Sequence, residues 1–302
     1  MRLFCFGYGY SAAALDARLA HGDVERAGTA RTAEGVAALR ARGVDAYLFD
    51  GIRPMDNAGQ ALRAATHVVV SVPPGAQGDP VLRHHKDDLA RAPALAWLGY
   101  LSTTGVYGDR GGDWVDEEAA VNPIGPRGQA RLDAETGWLA LWRDRGVPVH
   151  IFRLAGIYGR GRNALETVRA GEAKRIDKPG QVFSRIHVDD IAAVLDASIV
   201  RPRLGAIYNV CDDEPAPPAE VIAYACELLG ITPPPLQAFD QIAASLSPMA
   251  RSFYAENKRV SNARIKSELS VRLAYPNYRT GLRALLADLG EAGKYLKQQK
   301  GE

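Results

Sequence analysis

Cysteine is scarce. Cys5, Cys211 and Cys226 are an odd number at wide spacings, which fits neither a disulfide framework nor a metal-binding motif. The three thiols read as reduced core or surface groups, and no metal site is expected. Long apolar runs are missing too. The most hydrophobic early stretch, Leu3 to Leu15, is interrupted by Gly7, Gly9 and Ser11, and no run reaches membrane-spanning length. A strong charge imbalance is also lacking: the formal net charge is +2, which gives no electrostatic case for nucleic acid or a membrane surface. A cytoplasmic protein with neither kind of partner is expected. What the 302 residues do have is 47% hydrophobic content beside 24% charged. That suffices for one large α/β unit or two coupled lobes.

Through the first half, short apolar runs alternate with helix-like segments. Candidate strands are Arg2–Phe6, Val24–Thr29, Ala46–Phe49, His67–Ser71 and Ala96–Ser102. Between them Ala12–Ala20, Ala33–Arg42, Gly59–Ala65 and Val81–Arg91 can each form a helix with one apolar side. Such alternation implies right-handed crossovers and a doubly wound parallel sheet of the Rossmann type. Gln129–Asp144 reads as a long helix, Pro148 opens a further strand, and an Asp of the pair at 189 and 190 is placed to cap a helix over Ile191–Ile199. After residue 156 Gly, Pro and Arg break the regularity. The expected organisation is a dinucleotide-binding domain over 1–155, with 182–210 returning to it, and a smaller substrate lobe from 156–181 and 211–302.

Gly7-Tyr8-Gly9-Tyr10-Ser11-Ala12 follows the first strand and opens the first helix, in the pattern G-x-G-x-x-A. Gly7 suits a tight turn, Gly9 leaves bare backbone for a pyrophosphate, and Ala12 is small enough for the helix to pack on the strand. The phosphates would meet the free N–H groups and positive end of that helix, with a contact from Ser11. At the end of the second strand, where NAD sites usually place an acid, stands Ala30, followed by Arg31. A planar guanidinium there suits a 2′-phosphate, so NADP is expected as cofactor, with NAD the alternative. Asp50-Gly51 after the third strand suits the adenine edge or a plain Asp-Gly turn. Val72 and Pro73 follow the fourth strand, at the carboxyl edge where the cofactor would cross.

These pieces, taken with 100-YLSTTGVYGD-109, 152-FRLAGIYGRGR-162, 186-IHVDDIA-192 and 207-IYNVCDDEP-215 in that order, resemble the extended short-chain dehydrogenase/reductases, which include nucleotide-sugar epimerases and dehydratases. The resemblance covers nearly the whole chain. It implies hydride transfer at a hydroxyl or carbonyl carbon, with a tyrosine as acid/base, a lysine four residues on, and a Ser or Thr that orients the reacting oxygen. Matching on Val106-Tyr107-Gly108 puts that hydroxyl at Thr103, and the tyrosine and lysine positions fall on Arg127 and Arg131. Arginine stays protonated, so Arg127 cannot be the base, while Arg131 can keep a positive charge near the ribose. The chain is thereby similar to atypical members, in which the cofactor fold persists and the usual triad does not. Arg162, Lys258 and Arg259 fall in the smaller lobe, where the family holds a substrate diphosphate, and an anionic substrate gains support if they face one another.

Two functions follow. One is an NAD(P)-binding oxidoreductase or epimerase acting on a small carbonyl or nucleotide-sugar-type substrate with altered catalytic groups. The other is an NADP-binding sensor or scaffold of little or no turnover. The apolar residues Trp138, Leu139, Leu141 and Trp142 suit a homodimer face or an intrachain core equally.

Overall fold

The structure, a computed structural model, describes residues 1–20 and 22–300, with side chains described for all of these but 249 and 290–300. The chain opens with β1 (Arg2–Phe6), α1 (Tyr10–Leu19), β2 (Glu25–Ala30), α2 (Ala33–Arg40), β3 (Asp45–Leu48), α3 (Ala58–Arg63), β4 (His67–Val70), α4 (Pro80–Ala90) and β5 (Trp97–Thr103). A 3-10 turn (Thr104–Tyr107) and β6 (Trp114–Val115) lead to the long helix α5 (Gly125–Arg145), then β7 (Val149–Leu154) and β8 (Gly156–Tyr158). Next come α6 (Ala164–Arg169), β9 (Arg175–Asp177), β10 (Arg185–His187), α7 (Val188–Val200) and β11 (Ile207–Val210). The last third holds α8 (Pro218–Leu229), β12 (Leu236–Ala238), α9 (Phe239–Ile242), α10 (Pro248–Tyr254), β13 (Arg259–Val260), α11 (Ala263–Leu269) and α12 (Tyr278–Lys300).

Seven strands form one parallel sheet in the order β11-β7-β5-β4-β1-β2-β3, the Rossmann arrangement that the alternation implied. A parallel sheet is covered on both faces, so its strands read as unbroken apolar runs, as in Val68–Val70. Successive residues of β1 point to opposite faces: Leu3 and Cys5 join the core under α1 and α7, Phe4 and Phe6 the core under α4 and α5. Trp138 and Leu141 lie in that second core, which absorbs much of the apolar band of α5. A smaller cluster, with Tyr158, Leu165, Val221, Tyr278 and Leu282, sits among α6, α8 and α12. Three two-stranded parallel pairs, β8 with β10, β9 with β12 and β6 with β13, tie late segments to early ones.

Two expectations are corrected. The segment after residue 211 is not wholly a separate lobe, because Val260, Ile265, Leu269 and Val271 pack in the core beneath β7 and β11. Nor does an Asp cap the helix expected over 191–199. That helix starts at Val188, and the His187 ring nitrogen caps it by accepting from the Asp189 N–H at 3.2 Å. Asp190 instead accepts the N–H groups of Ala274 and Tyr275 at 2.8 and 2.9 Å, fastening the chain that leads into α12. Among the described residues no helix is long and apolar enough to cross a membrane.

Candidate functional site

The sheet order reverses between β1 and β4, so the loops leaving their carboxyl ends part and open a crevice. Gly7 turns out of β1 at φ +78°, and a Cβ there would lie 2.9 Å from Ser71 Oγ. Its N–H donates to Thr29 Oγ1 at 2.9 Å and its carbonyl accepts from Ser71 Oγ at 2.5 Å, so the turn is pinned between the ends of β2 and β4. Gly9 differs: a Cβ there would meet nothing within 4 Å. It is the N-cap of α1 and offers no side chain to the helix's first N–H groups. The result is an uncapped, positive helix tip behind bare backbone, a shape and charge that fit a pyrophosphate. Ser11 and Ala12 are buried, which lets α1 lie against the sheet.

The two tyrosines of the loop part company. Tyr8, expected among the cofactor contacts, turns its ring down onto Gly28, where a Cβ would lie 2.7 Å from it, and the Arg42 guanidinium sits 6.0 Å from its centroid. Burial and the neighbouring Asp16 push its phenol upward, away from ionisation. Only its backbone serves the loop, through an N–H to Thr29 O at 3.0 Å. Tyr10 instead reaches across the crevice and donates its hydroxyl to Arg160 O at 3.0 Å.

At the end of β2, Thr32 Oγ1 caps α2 by accepting from Gly35 N–H at 3.1 Å. Arg31 beside it is exposed and has no partner among the described residues. Asp50 is spent on its own turn, accepting from the Ile52 and Arg53 N–H groups at 2.7 and 3.3 Å, which holds its carboxyl below the usual range. Gly51, at φ +82°, lies where a Cβ would be 3.3 Å from Pro80. Val72 packs beside Gly7 while Pro73 is exposed at the crevice edge.

At the end of β5, Thr103 Oγ1 accepts from Gly105 N–H at 3.1 Å, leaving its own hydrogen free to donate. The first turn of α5 lies directly on this corner, with a Cβ at Gly128 placed 3.3 Å from Gly105 O. Arg127, one residue before, is exposed without a partner among the described residues. Arg131 faces inward and donates to Tyr100 Oη at 3.1 Å and Leu101 O at 2.9 Å. Behind it stands a buried network that the sequence did not reveal. Arg153 of β7 holds Glu135 of α5 at 2.8 Å and donates to Tyr107 Oη at 3.0 Å. Ser102 Oγ donates to Glu135 at 2.5 Å, and Tyr107 Oη donates to Asn209 Oδ1 at 2.7 Å. Tyr107 is therefore a fixed strut and does not reach the crevice. No local signal marks this set, because its members come from four separated segments.

No family model matches the chain. A structure of a conserved protein of unknown function from Silicibacter pomeroyi DSS is 52% identical, with a TM-score of 0.86 over 95% of this chain and 99% of that one. Protein YeeZ of Escherichia coli K12 is 30% identical, over 83% of this chain and 87% of its own length. The structure of a candidate NAD-dependent epimerase/dehydratase from Methylobacillus flagellatus is 27% identical, with a TM-score of 0.71 over 95% and 98% of the two chains. The chain belongs to the extended short-chain dehydrogenase/reductases.

Of the three basic residues singled out for an anion, two are taken up by backbone carbonyls. Lys258 is buried, donates to Gly108 O at 2.9 Å and is paired with Glu256. Arg259 donates to Gly112 O. Both hold the loop over 108–112. Arg162 alone is exposed, and its charge is felt by Tyr10. Tyr254, the one tyrosine with a lysine four residues on, is packed between Phe183 and Phe239.

Proposed function

We propose that the chain is an NADP-preferring oxidoreductase that reduces a small carbonyl or nucleotide-sugar-type substrate in this crevice. The observation that carries the reading is the uncapped tip of α1 behind Gly9, with the exposed Arg31, which has no partner among the described residues, at the end of the neighbouring strand. The tip suits two phosphates, and the planar fork of Arg31 suits the 2′-phosphate that distinguishes NADP from NAD. When bound, the dinucleotide supplies the hydride.

The chain's own residues favour the reducing direction. Oxidation of an alcohol needs a base for the hydroxyl proton, and the position that carries it in the family holds Arg127, which stays protonated. Reduction needs the opposite help, positive charge where an oxygen becomes negative. Arg127 at the rim and the free hydrogen of Thr103 can supply it, and solvent can supply the final proton. Arg131, held on Tyr100 and Leu101, places a second fixed positive charge under the crevice.

The test is NADPH oxidation, followed by absorbance, against nucleotide sugars and small aldehydes and ketones. Turnover that falls about 100-fold in Arg127→Ala supports the reading, that being the usual loss when one donor to a developing oxyanion is removed. The absent Tyr and Lys favour a second reading, a sensor or scaffold of little turnover. Tight NADPH binding with no oxidation across the whole panel would establish it in place of the first.

A further inference from the structure

β8 and β10 pair in parallel with Gly156 opposite Arg185 and Tyr158 opposite His187. Ile157 and Ile186 point into the main core, so the alternation of a strand sends Arg185, Tyr158 and His187 to the other face, toward α12. There Gly281 of α12 lies directly against the Tyr158 hydroxyl. Gly156, opposite Arg185, is exposed and carries no side chain of its own.

The polar groups on this face are not satisfied by the protein. Arg185 donates through Nη1 to Phe183 O at 2.8 Å and Ala216 O at 3.0 Å. Among the described residues its Nε and Nη2 have no partner and no carboxylate comes within ion-pair distance. The hydroxyls of Tyr158 and Tyr278 and the Oδ2 of Asp212 are all buried without a hydrogen-bond partner. Asp212 is 1% exposed, Tyr278 1% and Tyr158 8%. Buried polar atoms are nearly always paired, so several orphans around one guanidinium call for a resident polar group.

We propose that Arg185, Tyr158, Tyr278 and Asp212 form an oxyanion subsite that takes a carboxylate or phosphate group of the substrate. The proposal deepens the reading of the crevice by naming the substrate as an anion. The four residues can present donors together. Burial keeps both phenols protonated and raises the Asp212 carboxyl to about 8, so at neutral pH it carries a proton to donate. An oxyanion can accept from all four, whereas one water accepts from two. Asp212 faces Arg185 of β10 and Tyr158 of β8, with Asp213 and Glu214 on its own segment. Tyr278 of α12 and Tyr254 of α10 face the same guanidinium. Asp213 is engaged by Lys266 and Glu214 by Arg279.

The test uses the full chain without dinucleotide, so that its failure is separable from failure of the cofactor reading. Sodium acetate and inorganic phosphate are titrated by calorimetry and thermal unfolding, with sodium chloride at matched ionic strength as control. Saturable binding of acetate or phosphate is expected, at least tenfold weaker in Arg185→Met and several-fold weaker in Tyr158→Phe, which keeps the ring and should fold. Binding should weaken as pH rises through about 8 and lose that dependence in Asp212→Asn, whose amide stays neutral. No saturable binding by either anion, or equal affinity in Tyr158→Phe and wild type, or an affinity that is level with pH, overturns the subsite and leaves only trapped water.

Discussion

Gly9→Ala separates folding from binding. Gly9 has φ −94° and ψ −160°, an extended conformation open to alanine, and nothing stands within 4 Å of the added methyl. The free protein should lose no stability and gain up to about 1 kcal/mol, because the unfolded chain has less freedom to surrender. The methyl would occupy the space in front of the helix tip, where a phosphate must come within hydrogen-bond reach of the N–H groups. Losing one charge-assisted bond costs about 1.5–3 kcal/mol, or roughly 10- to 100-fold in NADPH affinity. Gly7→Ala is the contrast: at φ +78°, with its Cβ 2.9 Å from Ser71 Oγ, it should lose about 1–3 kcal/mol of stability. Urea unfolding and NADPH fluorescence titration on both variants give the four numbers. Unchanged affinity in Gly9→Ala, or equal loss of stability in the two variants, would refute the idea that Gly9 is bare for a ligand.

Other outcomes follow from the same geometry. Arg31→Ala should weaken NADPH by about 10- to 100-fold and leave NADH unchanged, since on the proposed reading only the 2′-phosphate would meet the guanidinium; parallel losses for both would deny Arg31 its role. Glu135 and Arg153 are 2% and 5% exposed at their side chains, so Glu135→Leu or Arg153→Met alone should cost about 3–5 kcal/mol in urea unfolding, and the double variant clearly less than the sum. His150 is fully buried, and burial lowers its ring to about 4. Between about pH 6.5 and 4 the unfolded chain takes a proton that the folded one refuses, so stability falls as pH falls, by about 3 kcal/mol at most from this residue. His150→Phe should flatten that acid limb, and an unaltered limb would assign it to other groups.

Much of the cofactor half was legible because its signals are local. A strand, a glycine turn and a helix within residues 2–19 carry spacing and periodicity in one stretch, and β4 is a bare run of valines. The start of α5 was missed by four residues because Gly125 and Pro126 look like loop, although proline is at home in a first helical turn. The fall of the Tyr8 ring onto Gly28 was not legible, because motif spacing places a backbone and says nothing of which way a ring turns. Lys258 looked like a free cation until the fold buried it under Gly108 O. The pairs β6–β13 and β9–β12 are two and three residues long and join segments far apart in the chain, so no periodicity announces them. The same holds for Arg185 and Asp212, which meet only because β8, β10 and β11 end on one side.

The most direct measurement is calorimetric titration of NADPH and NADH into the wild-type chain. One site per chain is expected, filled by NADPH at micromolar concentration and by NADH at least about tenfold less tightly. Neither nucleotide binding at about 1 mM would contradict the assignment of the α1 tip as a phosphate cradle.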